Sequence, residues 1–244
     1  MQRDQNSVPE GEIGAARPGV AKLLLAVDTC GPTGSVALGR LSSGAIEILG
    51  QTELEGRSYS ATLVSSIAGL LTDAGVRLQD VGAIVAVNGP GSFTGVRVGL
   101  SAVKGVAEPS QIPVVAVSRL EVLAWKAGTG SSALDAHRHE VFLRIAGDRL
   151  AARELLAGAE ELGAIRTGPA KIAVCDEPAA ELLKLLWPST ELVVVPAPTA
   201  ADALALCAAR VEARRFVDLA LLDAHYLRRS DAEIFGEAAK AQPA

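Results

Sequence analysis

The apolar residues follow strand periodicity at the start of the chain and helical periodicity soon after. Apolar runs at residues 23–27, 35–38 and 46–54 are separated by turns rich in Gly, Ser, Pro and Thr, which predicts three strands joined by hairpins. From about Ser58, apolar residues recur at helical spacing until Gly75, a suitable stop. A strand at 81–87, a helix at 94–107 ended by a break at Pro109, and a strand at 113–117 complete the predicted order βββαβαβ.

The second half of the chain is less regular, but it again alternates strand and helix patterns. A Gly/Ser-rich break lies at residues 128–132. The pattern predicts helices at 119–126, 153–162, 179–186 and 200–216, and strands at 140–145, 172–175 and 192–195. We therefore expect an α/β fold with mixed sheets covered by helices. The predicted organisation is a flexible tail at 1–20, a first lobe at 21–118, a second lobe at 119–228 whose last helix could pack back on the first, and a flexible C-terminal tail at 229–244.

Composition narrows the functional classes. The chain has 244 residues, 49% of them hydrophobic, which is enough to bury a sizeable core. Its formal charge of −5 argues against a broad electrostatic surface for RNA or acidic membranes. Residues 1–20 have no apolar stretch of the kind found in signal peptides, and no later run reaches membrane-spanning length. Three widely spaced cysteines fit a reducing compartment, so we expect a cytoplasmic protein.

The segment from Asn88 to Arg97 (NGPGSFTGVR) joins the strand at 81–87 to the helix that follows it. Three glycines and a proline within seven residues predict a sharp strand-to-helix turn that lets the backbone approach another surface closely. The free N–H groups at a helix start could receive an anion. The glycine spacing matches neither GxGxxG nor a Walker loop, however, and no Lys-Ser/Thr pair follows. The segment is therefore a weak candidate for a phosphate loop.

Other candidate catalytic groups also have simpler explanations. Asp28 and Thr29 follow the first strand and could be the remnant of a nucleotide-binding turn, although an Asp here commonly caps a turn. Ser92 has no GxSxG context and no evident base. His137 and His139 would share one face of a strand, where they could hold a metal if further ligands joined them; a polar strand edge is the preferred interpretation. We expect no metal site.

Several short sequence motifs, in order along the chain, carry a family resemblance: residues 25–29 (LAVDT), 35–38 (SVAL), 88–99 (NGPGSFTGVRVG), 134–142 (LDAHRHEVF) and 226–228 (YLR). The strand order resembles one half of the actin, sugar-kinase and Hsp70 ATPase (ASKHA) superfold, and these motifs are similar to those of the TsaB (YeaZ) family. This resemblance implies two βββα-type lobes. It also implies a noncatalytic paralogue of TsaD, the enzyme that installs threonylcarbamoyl on adenosine 37 of tRNA.

The resemblance also implies partners and cofactors. It implies an accessory subunit that binds and activates a TsaD-like enzyme, with a TsaE-like ATPase in the complex, a homodimer when alone, and tRNA reached only through the complex. No cofactor of its own is expected, because ATP and metal would belong to the partner subunits. The alternatives that stay open are an ASKHA-type ATPase, a glycoprotease-like peptidase and a tRNA-binding module.

The helix after the glycine-rich turn is the best candidate for a partner surface. Gly95, Gly99 and Ala102 recur at i, i+4 and i+7, which makes a stripe of minimal side chains. Such a stripe serves equally well for tight packing within the monomer or for docking a second chain; the resemblance favours docking. The expected partner-binding residues, with Arg97 and Lys104 at the rim, are Leu63, Ile67, Gly95, Arg97, Gly99, Ala102 and Lys104.

Overall fold

The computed structural model describes residues 22–55, 58–146, 152–165 and 167–228. The predicted tails at 1–20 and 229–244 lie outside these ranges. The first lobe contains β1 (Lys22–Asp28), β2 (Thr33–Ser42), β3 (Ala45–Glu55), α1 (Tyr59–Asp73), β4 (Val81–Val87), α2 (Phe93–Ser110) and β5 (Val114–Val117). The second part contains α3 (Arg119–Lys126), β6 (Ser132–Asp135), β7 (Val141–Ile145), β8 (Arg153–Ala157), α4 (Ala159–Ala164), β9 (Lys171–Val174), α5 (Glu177–Leu186), β10 (Glu191–Val194) and α6 (Ala200–Glu212).

The two five-stranded sheets have the same topology. The first has the strand order β3-β2-β1-β4-β5, and the second has the order β8-β7-β6-β9-β10. In each sheet the first three strands are antiparallel neighbours, while the fourth and fifth run parallel to the first. Each sheet is therefore mixed, and the βββαβαβ order is used twice. This confirms the expected α/β fold with two βββα-type lobes.

Short polar residues begin several of the helices. Ser118 Oγ accepts from the N–H of Leu120 at the start of α3, and Thr199 and Asp202 form a capping box at the start of α6. These side chains satisfy N–H groups that have no partner within a helix. They fix where α3 and α6 begin, and both helices lie between the lobes.

The helices that follow the last strand of each sheet, α3 and α6, pack on the opposite sheet. α6 packs across the strands of the first sheet, and its buried residues share one core with that sheet. α3 follows β5 in the chain but packs on β6, β7 and β9 of the second sheet. Because β1 is buried at five consecutive positions, its sheet is covered on both faces. The lobes are thus joined by exchanged helices as well as by the chain.

Some predicted elements are wrong. Residues 153–157 form an edge strand, not the start of a helix, because they pair with β7; the helix is the short α4 that follows. β6 lies at the end of the expected Gly/Ser break. α2 continues through Pro109 to Ser110, since a proline so near the helix end removes only one backbone hydrogen bond. α6 ends at Glu212, short of the predicted 216.

Within the described ranges, no helix is both long enough and apolar enough to cross a membrane.

Candidate functional site: the interlobe cleft and the exposed face of two helices

A cavity of about 1120 Å³ lies between the two lobes. Its lining comes from the turns that follow β1, β4, β5, β6 and β9. These are the carboxyl ends of strands in both sheets, the edge at which α/β proteins commonly bind ligands. This interlobe cleft is therefore the first candidate for a ligand-binding site.

A buried ion pair fills the turn after β1. Arg119 Nε lies 3.4 Å from Asp28 Oδ2, and the two residues are 5% and 1% exposed. Asp28 Oδ1 accepts from the N–H of Cys30 at 2.8 Å, which is the turn-capping role expected of this residue. Burial, the largest single effect, lowers the pKa of Arg119, but the Asp28 carboxylate, its hydrogen bond and the nearby Cys30 and Cys175 together outweigh burial, so the net change raises the pKa. Arg119 therefore remains charged and neutralises Asp28.

Side chains of the same chain enclose this turn further. Tyr59 Oη donates to the carbonyl of Gly31 at 2.7 Å, and a Cβ at Gly31 would overlap the guanidinium of Arg119. Burial raises the pKa of Tyr59 to about 12, with the Asp28 charge as a second cause. Burial, followed by the same charge, raises the pKa of the Cys30 thiol. The turn is packed like a core and holds no group poised to act as a nucleophile.

The glycines of the expected contact stripe face inward. Thr29 Oγ1 donates to the carbonyl of Gly95 at 2.7 Å, and a Cβ at Gly95 or Gly99 would overlap atoms of Thr29. Leu63 and Ile67 are also buried, at 1% and 5% exposure. These four residues are therefore packed within the chain. The glycines allow α2 to approach the end of β1 closely, which is the monomer-packing alternative.

The second lobe repeats the aspartate but not the glycines. Asp135 ends β6 as Asp28 ends β1, and its Oδ1 accepts from the N–H of His137 at 2.8 Å. The expectation that His137 and His139 sit on a strand edge is wrong. Together with Arg138 they form the turn between β6 and β7, all three with φ between 56° and 60°. Bulky residues thus occupy the position where a phosphate turn would need glycine.

The described residues offer no metal site and no Ser-His pair. No group of three His, Cys, Asp or Glu side chains in the described ranges is arranged to hold a metal ion. Ser92 Oγ accepts from the N–H of Gly95 and so caps α2. His137 pairs with Asp135 at 2.9 Å on the opposite lobe. Neither residue is arranged for hydrolysis.

The exposed faces of α1 and α2 are lined by small and apolar residues. Val64 is 62% exposed on α1. Gly69 on α1 and Gly105 on α2 are exposed, and a Cβ at either would meet nothing within 4 Å. Of the two expected rim residues, Arg97 is exposed and Lys104 is half-buried; Ala102 of the expected contact stripe is also half-buried. We call this surface, formed by the exposed residues of α1 and α2, the α1–α2 face.

A C-terminal strap, residues 217–228, crosses the cleft and ties the lobes together. On the first lobe, the N–H of Val217 donates to Val114 and the N–H of His225 donates to Asn88, at 2.9 and 2.8 Å. On the second lobe, His225 Nε2 lies 2.8 Å from Glu154 Oε2. Arg228 bonds the carbonyl of Ala136 at 2.8 Å and also pairs with Glu140.

Glu154 joins three elements. Its carboxylate accepts from Ser118 Oγ and from Arg144 Nη1, both at 2.7 Å, besides contacting His225 of the strap. Burial raises the pKa of Glu154, but these hydrogen bonds outweigh it, with the one from His225 the largest, so the net change lowers the pKa. The strap is therefore anchored to a carboxylate that stays charged.

Sequence reasoning missed Arg119 and the strap contacts. A signal for Arg119 was present, because it follows β5 directly and parallel strands end at one edge of a sheet. Arg119 was thus expected at the same sheet edge as Asp28. The contacts of the strap gave no comparable signal, since residues 217–228 have neither strand nor helix periodicity and residues 226–228 stood out only as a family motif.

The repeated sheet topology, the exchanged helices and the cleft at the common strand edge define a two-lobed α/β protein of the ASKHA class. A family model described as "TsaD: tRNA N6-adenosine threonylcarbamoyltransferase" matches residues 50–235. The chain belongs to this family. Its similarity to TsaB and YeaZ proteins places it in the TsaB (YeaZ) group, as the sequence motifs indicate.

Several similar proteins carry the name TsaB or YeaZ. A tRNA threonylcarbamoyladenosine biosynthesis protein TsaB from Bacillus subtilis is 37% identical over 123 residues, 49% of this chain and 52% of that protein. The Escherichia coli TsaB is 33% identical over 125 residues, with the same coverage. YeaZ from Pseudomonas aeruginosa superposes with a TM-score of 0.68 at 29% identity, covering 84% of this chain and 100% of that structure. The chain thus spans about half the length of the curated relatives it matches.

Proposed function

We propose that this chain is a noncatalytic accessory subunit that binds and activates a TsaD-like enzyme in the threonylcarbamoylation of adenosine 37 of tRNA. The names of its TsaB relatives support a role in this pathway. The match to the TsaD family model supports a paralogue that pairs with the enzyme it resembles.

The observation that carries the proposal is the pair of exposed glycines on the α1–α2 face. An internal glycine costs a helix about 1 kcal/mol relative to alanine. At Gly99 this cost is offset by the close approach of Thr29, whereas at Gly69 and Gly105 no neighbouring atom would obstruct a side chain. A second chain packing closely on α1 and α2 would explain why both positions lack one.

The contents of the cleft support an accessory role. In an ATPase of this class, the aspartate after the first strand would serve the phosphate and its metal; here Arg119 neutralises Asp28 within a closed turn. The corresponding turn of the second lobe carries His137, Arg138 and His139 in place of glycine. The Asp28 carboxylate is therefore already engaged by a cation of the same chain, and the second-lobe turn has bulky side chains at its positive-φ positions.

The proposal extends to the rest of the complex. We propose that ATP and metal belong to partner subunits, that a TsaE-like ATPase joins the complex, and that tRNA is reached only through it. Without a TsaD-like partner, the α1–α2 face of one copy would cover that of another, which gives a homodimer.

The test is to mix the purified chain with the TsaD-like enzyme of the same organism, and to measure complex formation and tRNA modification. Gly105→Leu should weaken the complex at least tenfold, because a large side chain would hold the partner away. Leucine favours the helix, so the loss could not be attributed to unfolding. Gly163→Leu is the matched control, since Gly163 is likewise exposed on a helix with nothing within 4 Å. Gly99→Leu is unsuitable because it would overlap Thr29.

The outcomes separate the candidate functions. If Gly105→Leu and Gly163→Leu both bind like the wild type, the α1–α2 face is not the interface. Saturable ATP binding with hydrolysis that disappears in Asp28→Asn would favour the ATPase alternative. Peptide cleavage by the isolated chain that is lost with Ser92→Ala would favour the peptidase alternative.

A further inference from the structure

A cation and two aromatic rings form a cluster where α2 meets the strap. The guanidinium carbon of Arg97 lies 3.7 Å from the ring centroid of Phe93 and 5.6 Å from that of Tyr226. The two rings are 5.0 Å apart and inclined by 32°. Arg97 Nε also donates to Tyr226 Oη at 2.7 Å. Two side chains from separate parts of the chain, Phe93 and Tyr226, therefore hold the Arg97 guanidinium.

This cluster lies on the surface. Phe93 and Tyr226 are 38% and 41% exposed, and Arg97 is exposed as well. Arg97 makes no ion pair with any carboxylate in the described ranges, whereas Arg119, Arg144 and Arg228 all do. A charged side chain that is already held in one conformation and has no counter-ion can bind an anion with little further loss of conformational entropy.

We propose that Arg97 receives a side-chain carboxylate of the TsaD-like partner at the edge of the α1–α2 face. This inference rests on the proposed function. The Nε contact with Tyr226 and the packing on Phe93 orient the guanidinium plane, and the two terminal nitrogens remain for a two-point contact with a carboxylate. Tyr226 makes the strap a participant in partner recognition.

A carboxylate fits this cluster better than a phosphate of nucleic acid does. Phosphate sites usually gather several cations or backbone N–H groups. Here one guanidinium stands beside two rings, and Lys104 is seven residues further along α2. The chain itself is acidic, with a formal charge of −5. One cation among apolar groups is a pattern found at the edges of protein interfaces.

The test measures the affinity of the chain for the purified TsaD-like enzyme as a function of NaCl concentration. Arg97→Gln should weaken the complex about tenfold at 0.1 M NaCl and reduce the salt dependence of the affinity. Tyr226→Phe keeps the ring but removes the oxygen that orients Nε, so it should cause a smaller loss. Lys171→Gln, which removes one exposed charge from the second lobe, is the control for net charge.

The outcomes keep this inference distinct from the proposed function. If the wild-type chain does not bind the enzyme at all, the proposed function fails and the inference fails with it. If the wild type binds and Arg97→Gln binds equally well, only the inference is overturned. The inference is also overturned if Arg97→Gln weakens the complex without changing the salt dependence of its affinity, since that result would mean that Arg97 only holds the strap in place. A variant that impairs only tRNA binding to the assembled complex would overturn it as well.

Discussion

Separating Asp28 from Arg119 tests whether the centre of the cleft is structural or catalytic. Their side chains are 2% and 7% exposed, so removal of either partner leaves a buried charge without compensation. Such changes cost about 3–5 kcal/mol, a large share of the roughly 5–15 kcal/mol that holds a domain folded. We expect Asp28→Asn and Arg119→Met each to lower the free energy of unfolding by about 3 kcal/mol or more.

The two substitutions should not be additive. The double variant should cost less than the sum of the two single variants, because it leaves neither charge behind.

Urea unfolding followed by circular dichroism measures these differences. Losses below about 1 kcal/mol for both single variants, adding simply in the double variant, would refute the structural interpretation. So would an ATPase activity of the wild type that Asp28→Asn abolishes while the free energy of unfolding stays unchanged. In that case the ion pair between Asp28 and Arg119 would be the ligand-free state of a catalytic site.

Two further predictions follow from the buried titratable groups. Cys175 is half-buried at the cleft, with a pKa raised by burial to about 11, and should be alkylated before Cys30, which is fully buried. Peptide mass spectrometry after timed labelling measures the two alkylation rates. Equal rates in the native state would contradict the prediction. Because the pKa of Glu154 is lowered in the folded chain, its stabilising contribution is present above the unfolded pKa and is lost as the pH falls through the folded one. Glu154→Gln should therefore flatten the loss of unfolding free energy between pH 6 and pH 3, and an unchanged slope would exclude this role.

Much of the fold could be predicted because its central strands are buried on both faces. β1 and β4 are continuous apolar runs, and Ser118 marks the start of α3. Residues 153–157 were misassigned because Arg, Glu, Leu and Ala favour helices, while pairing with β7 decides the outcome at the sheet edge. Local preference gave no warning of that pairing.

The site was harder to predict because periodicity does not tell which small residues face inward. Gly95 and Gly99 looked like an open stripe, yet they lie against Thr29, while the open positions on the same pair of helices are Gly69 and Gly105. Nor could the three left-handed residues of the β6–β7 turn be predicted from the sequence, since three consecutive non-glycine residues with positive φ are uncommon.

The exchange of α3 and α6 between the lobes bears on how this chain folds during synthesis. The core of the first sheet includes Ala203, Leu204 and Cys207 of α6, so that core stays open on the ribosome until α6 has emerged. The usual order, in which an N-terminal unit is completed first, is not available here. The two lobes should therefore unfold in one cooperative transition, and residues 21–118 expressed alone should expose an apolar sheet face and aggregate.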